Sequence, residues 1–104
     1  MSDESDLARL WALRAEDFRP HLRSEFRIAA GGEPVVLRLA EVYAYPSQPG
    51  APRELPFGIV FAGPHGLDQR IHRLEHAEMG DLDLFLVPIR PAPDGSARYE
   101  AVFN

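Results

Sequence analysis

The chain has 104 residues, of which 45% are hydrophobic and 26% charged, the proportions of an ordinary soluble domain; that length suits one domain rather than two. It carries no cysteine, ten prolines, and eleven basic residues, all of them arginine, against sixteen acidic ones, for a formal net charge of −5. The lack of cysteine excludes disulfides, thiolate nucleophiles and Cys-type zinc sites, and the acidic balance argues against non-specific binding to nucleic acid or to an anionic membrane.

Residues 1–6 are acidic and polar, with neither the basic start nor the apolar core of a signal peptide. The longest nearly apolar run, residues 82–89, falls far short of the ~20 residues that span a bilayer. The expected location is the cytoplasm. Residues 1–23 form the only segment with helical character. Leu7, Leu10 and Trp11 recur at i, i+3 and i+4, a short apolar stripe, and residues 15–18 make a second short turn before Pro20. The residue before a proline is pushed out of the helical region, so this turn is expected to end there.

From Glu25 onward the period is two. Phe26 and Ile28 alternate with Glu25 and Arg27, and Gly31-Gly32 supply the positive φ angles of a tight hairpin. The return strand, residues 35–45, places Val35, Leu37, Leu39, Tyr43 and Tyr45 on one face and Val36, Arg38, Ala40 and Val42 on the other. At about eleven residues it is long enough to bend or to serve two parts of a curled sheet. Residues 46–56 form the one proline-rich loop. Strands are then expected over residues 57–62, 70–76, 82–89 and 98–103, separated by turns at Gly63-Pro64, Met79-Gly80-Asp81 and Pro91–Gly95, the last holding the Asp-Gly dipeptide favoured in hairpins. Six short strands with no helical crossover among them give a mainly β fold. The chain reads as a small antiparallel barrel or sandwich with a short N-terminal helix covering an end or an edge, all in a single domain spanning residues 1–104.

Chemistry is thinly supplied. His72 and His76 have a metal-ligand spacing on a helix. On a strand the same spacing sets them about 13 Å apart, and the flanking turns favour the strand, with both imidazoles on a solvated face. Asp81 and Asp83 share a face and read as the polar front of a strand, where like charges discourage edge pairing. No serine lies in a Gly-x-Ser-x-Gly elbow, and without lysine there is no phosphate-binding P-loop. No cofactor is expected. Phe57, Phe61, Tyr99 and Phe103 alternate as core residues do and have few basic neighbours, unlike the stacking platform of a single-strand nucleic-acid binder. Two features suit recognition of another protein. Pro46, Pro49 and Pro52 repeat at the spacing of polyproline-II ligands, against the alternative of a stiff connection, and Trp11 is either a partner's anchor or the residue that seats the helix on the sheet.

The C-terminal half carries a resemblance. Phe57-Gly-Ile-Val-Phe-Ala-Gly-Pro64, Arg73-Leu-Glu-His76, the run from Met79 through Leu-Phe-Leu-Val-Pro-Ile89, and the closing Tyr99-Glu-Ala-Val-Phe-Asn104, together with Ala15-Glu-Asp-Phe18 and Glu25-Phe26, resemble a family of small bacterial proteins classed as a domain of unknown function. It spans about residues 13–104 of this chain. The resemblance implies a small mainly β protein, associated with phage-tail-collar-like proteins. It brings no catalytic residues, and it places an aromatic more often than a histidine at position 72.

The sequence thus favours a non-catalytic structural or protein-interaction subunit, an accessory of a phage-tail-like or surface assembly, with another protein or a second copy of itself as partner. Trp11, Pro46, Pro49, Pro52, Tyr99 and Phe103 are the candidate contact residues, because a closing strand at Tyr99–Phe103 is able to pair with its own sheet or a neighbour's. The alternatives are a ligand-binding barrel lined by Val42, Phe57 and Phe61, and a small hydrolase using His76 with Glu75 or Glu78. Arginine-only usage leaves strand edges without their usual lysine guards, which favours protein binding.

Overall fold

The computed structural model describes residues 10, 12–29, 32–44 and 56–103. Alternation of apolar and polar side chains generates six antiparallel strands: β1 (Glu25–Ile28), β2 (Val35–Ala44), β3 (Phe57–Gly63), β4 (Arg70–His76), β5 (Gly80–Ile89) and β6 (Ala97–Phe103). They close into a barrel in the order β1-β2-β3-β6-β5-β4, with β4 returning to β1. Of the two architectures the sequence allows, barrel and sandwich, the chain adopts the barrel, which removes most of the open edge a six-stranded sheet would expose.

One helical turn, α1 (Ala15–Phe18), precedes the strands and runs into a 3₁₀ turn over Arg19–His21. The Asp17 carboxylate starts α1 by accepting the Arg14 backbone N–H at 2.8 Å. Pro20 does not end this segment as expected: Arg19 stays helical at φ −55° and ψ −40°, and Pro20 sits at the front of the 3₁₀ turn, where its missing N–H would have no partner anyway. Arg23 then takes a left-handed conformation, φ 74°, held by its N–H donating to the Leu39 carbonyl at 2.7 Å while Leu39 donates to Ser24 at 3.1 Å. The helical turn is thereby stitched to β2 just ahead of β1. Leu10 packs partly buried against the core; Leu7 and Trp11 of the expected stripe lie outside the described residues.

Inward-facing side chains fill the barrel. Phe57 and Phe103 stack with ring centroids 4.5 Å apart, and Phe18 leans on both at 5.9 and 5.6 Å, so α1 plugs the end where β3 begins and β6 finishes. Phe26 meets Phe61 edge-on at 5.1 Å. Each such ring removed from water contributes about 1.5–3 kcal/mol. Tyr99 is buried with its hydroxyl donating to the Pro64 carbonyl at 2.7 Å and accepting the Leu67 N–H at 3.3 Å, so the one polar atom on its ring is satisfied.

The face assignment of β2 holds only for its first half. Leu37 and Leu39 point inward, but the β2–β3 register shifts between Leu39 and Glu41. This bulge reverses the alternation: Val42 packs against the core, and Tyr43 lies outside, across Gly58, with its hydroxyl donating to the Glu100 carboxylate. Tyr45, expected on the Tyr43 face, lies outside the described residues.

Candidate functional site

Two places on the barrel concentrate chemistry. The first lies where β4 ends and the 3₁₀ turn enters β1. Here the expectation of solvated imidazoles fails, because β4 presents its even-numbered residues to the interior: His72 and His76 are 6% and 9% exposed. They sit on one face of a strand, as read from the sequence, and each is held by different groups. The His72 Nε2–H donates to the Asp68 carbonyl at 2.8 Å. His76 is enclosed more completely. Its Nδ1 faces the backbone N–H groups of Glu78 and Met79, both at 3.0 Å, so Nδ1 is the acceptor and the ring proton resides on Nε2. Nε2–H donates to the Ser24 hydroxyl at 2.9 Å, and that hydroxyl donates to the His21 carbonyl at 2.5 Å. The His21 ring meets His76 edge-on at 4.6 Å, and Phe26 lies under it at 4.3 Å. Burial first, then the neighbouring His21, hold His76 below the ordinary imidazole pKa, with Glu78 partly opposing them.

The direction of these bonds decides what the cluster does. A nucleophilic serine needs an imidazole lone pair aimed at its hydroxyl; in this arrangement the histidine gives a proton to Ser24 and receives from the main chain. The Glu78 carboxylate stands 3.4 Å from Nδ1 of His21, and Glu75 is exposed beside Arg27 on β1. Neither carboxylate orients His76 as the hydrolase reading requires. Ser24, His21 and His76 instead pin the β4–β5 turn to the entry of β1. An open groove of about 800 Å³ lies over them, bordered by Glu25, Arg27, Glu75 and Glu78. Among the described residues no group of three or more His, Asp or Glu side chains is placed to hold a metal ion.

The second place is the outer face of β4, β5 and β6. Ile71 and Phe85 are direct cross-strand partners and are 65% and 50% exposed. β5 pairs with β6 through Val87–Ile89, with Val87 opposite Glu100. Val102, on β6, is 43% exposed. Exposed apolar side chains therefore stand on all three of these strands, two of them, Ile71 and Phe85, as direct partners. Their charged neighbours are paired within the chain. Arg73 grips Asp83 through two bonds of 2.8 and 2.9 Å, holding that carboxyl below the usual carboxylate pKa. Arg98 reaches Glu41 at 3.0 Å, and Glu100 accepts the Tyr43 hydroxyl. Asp83, read from the sequence with Asp81 as the polar front of a strand, thus serves an ion pair with Arg73.

Of the candidate contact residues, Tyr99 and Phe103 face the interior, 2% and 7% exposed; β6 pairs with β3 of its own chain from Ala97 to Phe103, so these two rings build the core. Trp11, Pro46, Pro49 and Pro52 lie outside the described residues. The proposed pocket residues Phe57 and Phe61 are packed against Phe18, Phe26 and Phe103. Residue-by-residue reading missed the exposed Ile71–Phe85 pair. The signal present was the run from 82 to 89, apolar on both faces after Asp83, which leaves one apolar set facing outward once the other is buried.

Fold and surface together define a small closed antiparallel barrel, plugged at one end by a helical turn and bearing an exposed apolar pair on its outer face. Residues 13–103 match a domain of unknown function, DUF6916, and the chain belongs to that family. The match runs from just before α1 to the last residue of β6, so it takes in every strand. Comparison with curated proteins and with solved structures finds no match. No helix among the described residues is long and apolar enough to cross a membrane.

Proposed function

We propose that this chain is a non-catalytic structural or protein-interaction subunit, and that it binds protein through the outer face of β4, β5 and β6. The observation that carries this reading is the cross-strand pair Ile71 and Phe85, with Val102 also exposed on β6, on a barrel whose other outward positions on β4 are charged. Single exposed apolar residues are ordinary on a protein surface, whereas contiguous ones rimmed by polar groups mark interaction sites. The locked tautomer of His76 favours a structural over a catalytic role for the histidine cluster. In this reading the assembly is bacterial and phage-tail-like or surface-exposed, and the chain is made in the cytoplasm before it is incorporated; the support for that setting is the resemblance of the segments around Leu84–Ile89 and Tyr99–Phe103 to proteins associated with phage-tail-collar-like proteins.

Affinity capture from the native host, with the wild-type chain and an Ile71→Ser/Phe85→Ser variant as parallel baits, tests it. A partner retained by the wild type and lost by the variant is expected, because truncating central apolar contacts typically weakens binding about tenfold or more. Identical capture by both baits would remove this face from consideration.

A further inference from the structure

In the ring β1-β2-β3-β6-β5-β4, β3 and β4 stand three places apart in either direction, so they face each other across the barrel. Residues 64–69, which join them, therefore cross the mouth of the barrel instead of bridging neighbouring strands. This is the mouth where β3 ends and β6 begins, away from the α1 plug. Six residues reach about 20 Å when extended, more than a ring of six strands spaced about 4.8 Å apart is wide. We propose that this strap is a lid on the second mouth, latched from inside by Tyr99 and His72, and that it opens as a unit while the barrel stays closed. The lid is separate from the outer face of β4, β5 and β6 and stands whether or not that face binds protein.

Among the described residues the strap makes no backbone–backbone hydrogen bond; its polar tethers come from side chains. From the interior, the Tyr99 hydroxyl donates to the Pro64 carbonyl at 2.7 Å and accepts the Leu67 N–H at 3.3 Å, and the His72 Nε2–H donates to the Asp68 carbonyl at 2.8 Å. On the outside, the His65 Nε2–H donates to the Gly95 carbonyl at 2.9 Å. Tyr99 and His72 are buried in β6 and β4, so both latches stay with the barrel when the strap leaves. Leu67 packs partly buried against the core, and the rest of the strap is exposed. Local stability follows buried apolar contact and the bonds an opening must break, and one leucine with four hydrogen bonds is a light fastening beside the seven-pair ladder of β3 and β6. Gly66, in the middle of the strap, has φ +112°, which glycine alone takes without strain, so the closed form depends on it. Opening withdraws Leu67 from the mouth and frees the Tyr99 hydroxyl and the His72 N–H, two donors on an apolar wall.

Native-state hydrogen exchange of the full chain, read residue by residue by NMR across low urea concentrations, tests the lid without any partner. The Leu67 amide is the reporter, because the Tyr99 hydroxyl is its partner. It should be protected, yet exchange at least about tenfold faster than Ile59 and Ala101, through an opening that urea hardly promotes because little surface is exposed. Gly66→Ala adds a methyl that meets nothing within 4 Å, so folding survives and only the closed φ is strained. Leu67 exchange should then speed up at least about fivefold with its weak urea dependence kept. His72→Phe keeps a ring and removes the latch on Asp68, a bond Leu67 does not make; in a strap that opens as a unit, Leu67 exchange should still rise about two- to tenfold. A Leu67 amide whose urea dependence matches that of Ile59 and Ala101 overturns the proposal, because the strap then opens only with the barrel. Exchange of Leu67 at its intrinsic rate in the wild type overturns it by showing no latch. Leu67 exchange unmoved by Gly66→Ala, or by a folded His72→Phe chain, overturns it as well.

Discussion

His76 shows how a single side chain's hydrogen-bond directions limit what it does. An imidazole with Nδ1 accepting two main-chain N–H groups and Nε2–H donating to Ser24 has no free lone pair. A second proton would have to enter at Nδ1, against the Glu78 and Met79 donors, so protonation and the native turn exclude each other. The consequence for stability has a definite sign. Burial and His21 lower the folded-state pKa beneath the unfolded value of about 6.5, so the unfolded chain binds the proton more readily and stability rises with pH between the two values. The contribution is complete above about pH 6.5 and is lost as pH falls from there through the folded pKa. Urea unfolding at a series of pH values from about 7.5 to about 5 should show this decline. His76→Gln should cost about 1–3 kcal/mol at the upper end, the typical cost of leaving a buried donor or acceptor unsatisfied, and should flatten the slope. A slope unchanged by the substitution would mean that His76 does not carry the pH dependence.

At the scale of the element, β2 is governed by its bulge. One extra residue near Ala40 reverses the faces, and everything after it follows: Val42 enters the core, and Tyr43 swings out over Gly58 to reach Glu100. A Cβ on Gly58 would lie 2.5 Å from the Tyr43 ring, so Gly58→Ala should displace the ring and break its bond to Glu100. The expected cost is about 1–2 kcal/mol, a lost hydrogen bond plus packing. In a Tyr43→Ala background the same change should cost nothing, since glycine is the weaker strand former. Denaturant unfolding of the four chains in this double-mutant cycle checks it; additive effects would mean that Tyr43 and Gly58 do not interact. The strands themselves were legible because a two-residue period survives burial of one face, as in Phe26/Ile28 and in the alternation of β4 and β6. The reversal at Ala40 was not, because a bulge leaves no mark in the pattern until the partner strand's register is known. His21 and His76 were invisible as a pair for a related reason: 55 positions separate them, and only closure of β4 onto β1 brings them together. Likewise, the run after Asp83 announced apolar residues on both faces of β5 but not which face would be left outside.

Closure is uneven around the whole molecule, and this sets where it should open. β3 is held along its length, meeting β2 in six residue pairs and β6 in seven. Among the described residues β5 meets β6 in three pairs, and β1 meets β4 in one, Arg27 with Glu75. The aromatic plug from Phe18 to Phe57 and Phe103 reinforces the β3–β6 end, whereas the β1–β4 seam is held around His76, by its relay through Ser24 to the His21 carbonyl and its packing on Phe26. Local stability follows buried apolar contact and the number of cross-strand bonds an opening must break. Native-state hydrogen exchange should therefore find the slowest strand amides on β3 and β6, at Ile59, Phe61, Tyr99 and Ala101, and the fastest at Arg27 and Glu75, with opening free energies at least about 2 kcal/mol apart on a scale running from zero to the global value. Because the seam's relay contains His76, lowering the pH from about 7 to about 5, through the ordinary imidazole pKa of the opened state, should speed opening at Arg27 and Glu75 beyond the change seen at Ile59 and Tyr99, once the intrinsic pH dependence of exchange is divided out. Equal protection around the barrel, or a pH response shared evenly by both regions, would show that the six strands open as one unit and that the seam holds no separate weakness.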